Sequence, residues 1–341
     1  MAGLGDRFRP ELEAEMAACF PSAGPAAGLF AALRYHLGWA EADGSPARAG
    51  GGKRLRPVLC LVTCEGYGGD YRQALPAAAA IELLHNFTLI HDDIEDRSDE
   101  RHHRPTVWKV WGEAQAINAG DALFTISQLA ALRLAGRGVP ADRVLAGVQT
   151  INAACLRVCE GQFLDIDFEQ QALVDETSYL AMIRGKTAAL LGCALEMGAL
   201  VAGAAPAELA ALREAGESLG LAYQVQDDIL GIWGDPAVTG KPTADDIRSR
   251  KKTLPIVHAQ SAARLGHAGR LSQLLAKPRL TEPDVVEVVG ILETAGSLRY
   301  AEGLAQGFYN QCLAALERTS LSEASRAELN SLVRSLLGRP V

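Results

Sequence analysis

The sequence has little of what would mark it as secreted, nucleic-acid-binding or β-rich. Cysteine is sparse, seven residues in an odd and scattered set, which argues against a disulfide framework and for a reducing compartment. Positive charge is in deficit: 33 Lys and Arg face 41 Asp and Glu, for a formal net charge of −8, so non-specific nucleic-acid binding is not expected. Aromatic residues are only 6% of the chain. No segment alternates apolar and polar residues for long, and dense Val/Ile/Thr blocks are missing, which leaves few candidates for strands. There is no tandem repeat at constant period and no breaker run of linker length. The first turns carry Asp6, Glu11, Glu13 and Glu15 and no apolar signal core, so a cytoplasmic protein is expected. The most membrane-like stretch, 187–205, is Ala/Gly-rich and interrupted by Glu196; it reads as a buried core helix, without stable membrane insertion.

What the chain does have is alanine and a helical period. Hydrophobic residues make up 48% and charged residues 22%, a globular balance. Leu83, Leu84, Phe87, Ile90 and Ile94 recur at helical spacing, as do Leu209, Leu212, Leu219 and Tyr223. Helices are predicted over roughly 9–20, 25–40, 56–66, 74–97, 106–135, 141–170, 176–201, 206–233 and 253–263, with shorter ones after 282. The simplest account is one all-α domain over residues 1–341, a large helical bundle.

Two acidic runs stand out: His91-Asp92-Asp93-Ile94-Glu95-Asp96 and, 135 positions on, Gln226-Asp227-Asp228-Ile229-Leu230-Gly231. Each follows an apolar helical segment. Asp92 and Asp96 are one turn apart and share a face. Carboxylates that close repel unless a cation lies between them, and Mg²⁺ takes one or two carboxylates plus water and substrate phosphate oxygens. Two such clusters facing each other make a metal clamp for a diphosphate; a solvated acidic helix end is the alternative. Cys60 with Cys64, and Cys155 with Cys159, are spaced for a metal or redox pair or for plain core packing.

Basic residues accompany the acids. Ser98-Asp99-Glu100-Arg101-His102-His103-Arg104-Pro105-Thr106 follows the first run, and direct donors next to a metal cluster suit a diphosphate. Upstream, Gly51-Gly52-Lys53-Arg54-Leu55-Arg56-Pro57 is not a nucleotide-binding phosphate loop, since Arg54 follows Lys53 and no strand precedes it. Pro57 near a helix start leaves Lys53 and Arg56 at its entrance, a second phosphate site. Lys186-Thr187, Tyr223-Gln224, Gly240-Lys241-Pro242, Asp246 and Lys251-Lys252-Thr253 are weaker signals.

Taken in order, Gly-Gly-Lys-Arg-x-Arg-Pro, Leu-Ile-His-Asp-Asp-x-x-Asp, the Gly-Asp-x-Leu of Gly120 to Leu123, Lys-Thr and Tyr-Gln-x-x-Asp-Asp resemble the trans-isoprenyl diphosphate synthases over residues 48 to 256. The resemblance implies an isoprenoid-synthase fold and condensation of isopentenyl diphosphate with an allylic prenyl diphosphate (dimethylallyl, geranyl or farnesyl). By that likeness Asp92, Asp96 and Asp227 would ligate Mg²⁺, with Asp93 and Asp228 supporting. Arg101, Lys186 and Lys241 would bind the allylic diphosphate, with Thr187 and Gln224 supporting that site. Lys53, Arg56 and His85 would hold isopentenyl diphosphate. A homodimer is implied as well.

Two positions depart from the family pattern. Gly231 stands where a third Asp is usual. His102 stands where a second Arg is usual; a contact from it would fade as pH rises through ~6.5, and Arg104 is the candidate to stand in. By the same likeness, product length is expected to depend on the wall below the first cluster, Leu84, Phe87 and Thr88, with Leu84 about 12 Å down the helix. Phe87 without an insertion in the acidic motif resembles the geranylgeranyl producers, and Thr88, not aromatic, argues against stopping at farnesyl. Farnesyl or longer-chain synthesis, a terpene cyclase and a non-catalytic partner subunit are the competing readings.

Overall fold

The structure, a computed structural model, describes residues 5–21, 25–47, 52, 54–236, 242–262 and 267–337; Lys53 and Lys241 lie outside them. The protein is all-α. Among the described residues the extended structure is one short hairpin, Glu100–Arg101 against Arg104–Pro105, and an isolated bridge between Ala40 and Pro46. The chain forms two compact units.

The first unit comprises Met1–Asn152, Ala194–Leu209 and Ser320–Glu328. Its centre is the helix Tyr71–Glu95, buried on every side over Ala74–Leu84, the pattern of a core helix rather than a surface one. It packs against Leu55–Gly66 and Glu113–Leu132. The helix begins three residues before its predicted start, because the Asp70 side chain accepts from the Arg72 N–H at 3.0 Å and caps it. The single helix predicted over 106–135 is broken. Gly112, at φ +85, separates Val107–Trp111 from Glu113–Leu132, a conformation that side chains other than hydrogen rarely adopt. The last residues tighten into a 3₁₀ turn, Arg133–Arg137.

The second unit comprises Ala153–Cys193, Ala210–Thr319 and Leu329–Val341. One core cluster gathers Tyr179, Met182, Ile183, Leu221, Val225 and Ile229 with Leu254, Val257 and Phe308. Another joins Ile232, Ile247 and Ile256 to Leu271, Val288 and Leu292. The helix Glu282–Thr294 opens on a capping box between Thr281 and Asp284. Behind it runs Ser297–Glu317, one long helix where shorter ones were predicted, and His267–Leu275 is a helix the prediction passed over.

The apolar stretch flagged near 187–205 lies in the helical run Glu176–Ala202, and 89% of its most apolar window is buried inside the protein. Its hydrophobic residues are used in the interior, as the core-helix reading requires.

Candidate functional site

The first acidic run closes the Tyr71–Glu95 helix, with Asp96 as the C-cap residue. The Asp96 N–H donates to the Asp92 carbonyl at 2.8 Å, so the two side chains are one turn apart. The last turn contains no basic residue, so these acids confront the negative end of the helix dipole as well as each other. A cation relieves both. Here the relief comes from Arg101, whose Nε donates to Asp93 Oδ1 at 2.8 Å and whose Nη2 reaches Asp92 Oδ2 at 3.4 Å. Burial raises the Asp93 pKa, against the opposing pull of Arg101, and its buried Oδ2 has no hydrogen-bond partner.

A hairpin aims Arg101 back at the helix. Its two-residue turn is His102-His103, both left-handed at φ +53 and +60. That is the geometry whose twist suits a tight hairpin, although Asn and Gly are its usual occupants. Thr106 Oγ1 and Trp108 Nε1 both donate to the Ser98 carbonyl, at 2.9 and 2.8 Å, and fasten the hairpin base. His102 is exposed. Arg104 is not available to stand in for it. Its guanidinium donates to the carbonyls of Tyr35 and Ala40 at 3.0 and 2.8 Å, pairs with Glu41 at 3.1 Å and lies 4.0 Å over the Tyr35 ring.

The basic loop before Leu55–Gly66 divides its labour. Arg54, left-handed at φ +51, turns inward to Glu13 and Glu82, both at 2.9 Å, and to the Leu37 carbonyl at 3.1 Å. Removing one partner of such a buried pair typically costs about 3–5 kcal/mol, so Arg54 is structural. Arg56 is half-buried and, with Arg101, acts electrostatically on His85. Burial first, then Arg56, Arg101, His36 and Arg54, holds His85 well below the ordinary histidine value. His36 falls to about 3 through burial, Arg101, His102 and Arg54. At neutral pH both imidazoles are neutral and can donate one hydrogen bond each, while the arginines carry the charge.

Below the acids, Leu84 is fully buried and Phe87 half-buried. The Phe87 ring meets His91 edge-on at 5.0 Å and Phe124 at 5.4 Å. Thr88 Oγ1 donates to the His85 carbonyl at 2.7 Å. Gly120 is required by His91: a β-carbon there would overlap the imidazole Nε2.

In the second unit, Asp227 and Asp228 lie near the end of the Pro206–Trp233 helix and point different ways. Adjacent residues are about 100° apart on a helix, and Asp227 is exposed while Asp228 is buried. Asp228 accepts from the Tyr179 hydroxyl, the Leu254 N–H at 2.8 Å and Gln224 Nε2 at 3.1 Å. Burial pushes its pKa up to about 7 in spite of these three donors. Its carboxylate is turned onto neighbouring elements of its own unit, so its support of the metal motif is indirect. Gln224 Oε1 in turn accepts from Thr187 Oγ1 at 2.8 Å, which links the Lys-Thr pair to the aspartate pair.

Lys186 and Thr187 sit in a π turn, Arg184–Ala188, a local widening that recurs at functional sites. Gly161 makes room for it: a β-carbon at 161 would overlap the Lys186 backbone nitrogen and lie 2.7 Å from the Gly185 carbonyl carbon. Lys186 Nζ pairs with Asp165 at 2.5 Å.

Among the described residues, no group of three or more His, Cys, Asp or Glu side chains is assembled to hold a metal ion. That fits a hard divalent ion that takes one or two carboxylates and completes its shell with water and substrate phosphate. It does not fit a resident structural ion, which needs a closed protein shell. The cysteines add no such shell. None of the seven is in a disulfide; Cys60 and Cys64 are buried, burial pushes the Cys64 thiol up to about 12, and Cys155 is buried while Cys159 is exposed. Packing accounts for the first pair.

Phe124, Asp165, Tyr179 and His36 were not legible as site residues. Each acts through a partner distant in sequence, such as Tyr179 with Asp228, 49 positions apart. For Asp165 the sequence gives no distinguishing signal, since Glu160, Asp167 and Glu169 lie on the same helix.

The chain matches the profile of the polyprenyl synthetase family over residues 46–292. It is 38% identical over 312 residues to a (2E,6E)-farnesyl diphosphate synthase of Mycobacterium bovis, covering 90% of this chain and 85% of that one. It is 43% identical over 283 residues to a geranylgeranyl diphosphate synthase of Mycobacterium tuberculosis, covering 83% and 79%. A crystal structure of a polyprenyl synthetase from Streptomyces coelicolor superposes with a TM-score of 0.89 at 34% identity, covering 98% of this chain and 97% of that one. A geranylgeranyl pyrophosphate synthase from Corynebacterium glutamicum, solved with isoprenyl diphosphate and magnesium, superposes with a TM-score of 0.81 at 27% identity, covering 99% and 98%.

Proposed function

The chain belongs to the polyprenyl synthetase family and is a trans-prenyltransferase that elongates prenyl diphosphates; on that premise we propose that its product is geranylgeranyl diphosphate, made from isopentenyl diphosphate and an allylic diphosphate. The observation that carries the product is Phe87. Its ring packs against Phe124 and His91, and its neighbour Thr88 is not aromatic.

Mg²⁺, when bound, neutralises the allylic diphosphate and makes it a better leaving group. By family likeness Asp92, Asp96 and Asp227 are its proposed ligands. Arg101, paired with Asp93 and Asp92 in the free protein, would donate to the departing diphosphate, leaving Asp92 to hold the metal. Lys186, paired with Asp165 in the free protein, and Lys241 are assigned to the same diphosphate by family likeness. Cations placed where charge develops are the strongest device available to this reaction. Arg56, Lys53 and neutral His85 orient isopentenyl diphosphate, so that its double bond meets the allylic carbon at short range. A proton then leaves the new chain, and the released diphosphate is the proposed acceptor. No side-chain nucleophile is involved.

We further propose a cytoplasmic homodimer. Ile117, Leu129 and Leu132, all on the helix Glu113–Leu132, are each exposed by more than 40%, a surface suited to a second copy; light scattering on the purified chain reads its mass. The product is tested by incubating the chain alone with Mg²⁺, isopentenyl diphosphate and each allylic substrate, then chromatographing the dephosphorylated products. Geranylgeraniol is expected. Farnesol as the end product would move the chain to the other relative's activity, released hydrocarbon would make it a cyclase, and no turnover would make it a partner subunit.

A further inference from the structure

The second acidic run lacks a carboxylate at Gly231, and another side chain occupies the space. Asp227 and Gly231 are one turn apart on the Pro206–Trp233 helix and so share a face. A β-carbon built on Gly231 would overlap Oδ2 of Asp246 and lie 2.5 Å from its Cγ. The Asp246 carboxylate therefore sits where a side chain at 231 would begin.

The backbone between them holds it there. The Ala244 N–H donates to the Ile232 carbonyl at 3.1 Å, with Ala244 left-handed at φ +60. This starts the short helix Asp245–Arg248, and the Lys251 N–H returns to the Asp246 carbonyl at 3.0 Å. Ile247, the next residue, is fully buried in one core cluster with Ile232. Asp246 is thus presented by a packed segment and is itself only half-buried.

We infer that Asp246 supplies the third carboxylate of the second cluster toward the diphosphate-bound divalent metal, in place of a side chain at position 231. Gly231 is then a requirement rather than a loss, since a side chain there would displace the carboxylate that does its work. The inference rests on the prenyl-transfer reading above and adds a residue to it.

The test is metal binding rather than turnover. Mn²⁺ binding by electron paramagnetic resonance, and Mg²⁺-dependent thermal stabilisation, are measured with inorganic diphosphate present. Parent, Asp246→Asn and the relocated double variant Gly231→Asp/Asp246→Ala are compared, each checked for parental helicity by circular dichroism. Asp246→Asn is expected to raise the half-saturating metal concentration by about tenfold or more, the range seen when carboxylates supporting a metal site are removed. The double variant is expected to regain most of that loss. Asp246→Asn binding Mn²⁺ as the parent does would overturn the inference while leaving prenyl transfer intact, and so would a double variant no better than Asp246→Asn. A parent that shows no metal response with diphosphate would overturn the prenyl-transfer reading, and this one with it.

Discussion

The hydroxyl of Tyr179 donates to the carboxylate of Asp228, and both side chains are buried. Asp228 also accepts from Leu254 and Gln224, so one carboxylate fastens three helices next to Asp227. Loss of the hydroxyl in Tyr179→Phe leaves a buried acceptor short of a donor, which costs about 1–3 kcal/mol. Urea unfolding of the variant is the direct measurement, and a parental midpoint would show that the bond contributes nothing.

Asp228 also sets a pH dependence. Its pKa is about 7 in the folded protein against an ordinary 3.8, so the native state binds the proton more tightly than the unfolded chain. The associated stability is fully present below about pH 4, declines as pH rises and is gone above about 7. Metal-free protein should therefore show a falling urea midpoint across that window. Asp228→Asn should remove the decline, and an identical slope in the variant would assign it to another group.

Phe87 and Phe124 form the floor under the first acidic run. Phe87→Ala should lengthen the product, and Phe124→Ala should do so to a smaller degree by freeing the Phe87 ring. The readout is the chain length of the dephosphorylated product with farnesyl diphosphate as primer. The parental distribution from Phe87→Ala would remove it as the stopper.

Gly161→Ala should be damaging although it adds one methyl group. The added carbon meets the Lys186 backbone, which cannot retreat as a flexible side chain would. Overpacking of this kind costs about 1–3 kcal/mol, and displacing Lys186 and Thr187 should raise the Michaelis constant for the allylic substrate. Unchanged stability together with unchanged kinetics would contradict the close approach of the two helices.

His102→Arg should lower the Michaelis constant for isopentenyl diphosphate at pH 8, where an ordinary imidazole is neutral. The position is exposed, and neither His nor Arg is relieved of the left-handed strain as glycine would be, so stability should change by less than about 0.5 kcal/mol. An unaltered constant would place His102 outside the substrate's reach.

The acidic runs were legible because their members are neighbours in the chain, and the helices because alanine and a 3.6-residue period persist over long segments. What escaped was settled at a distance. Nothing near Arg104 signals that its guanidinium is taken by Tyr35, Ala40 and Glu41, more than sixty positions away. The strands Glu100–Arg101 and Arg104–Pro105 are too short to alternate visibly. Their turn uses histidines in a conformation that sequence reasoning assigns to Asn or Gly. Gly112 was not singled out, because a lone glycine within an otherwise helical pattern does not by itself fix a positive φ. Gly231 was legible as a missing acid, but its neighbour Asp246 is visible only once the chain has folded back.

The π turn at Arg184–Ala188 has a consequence for insertions and deletions in this stretch. A π turn is a helix carrying one residue more than its hydrogen-bond frame needs. Deleting one residue there would restore an ordinary helix, with no gap and no strain, yet swing the residues on one side about 100° around the axis relative to those on the other. Lys186 and Thr187 would lose their bearing on Asp165 and Gln224 in a protein that still folds. The extra residue is thus a phase setting for the helix, and substitutions at these positions are open to selection in a way that a change of length is not.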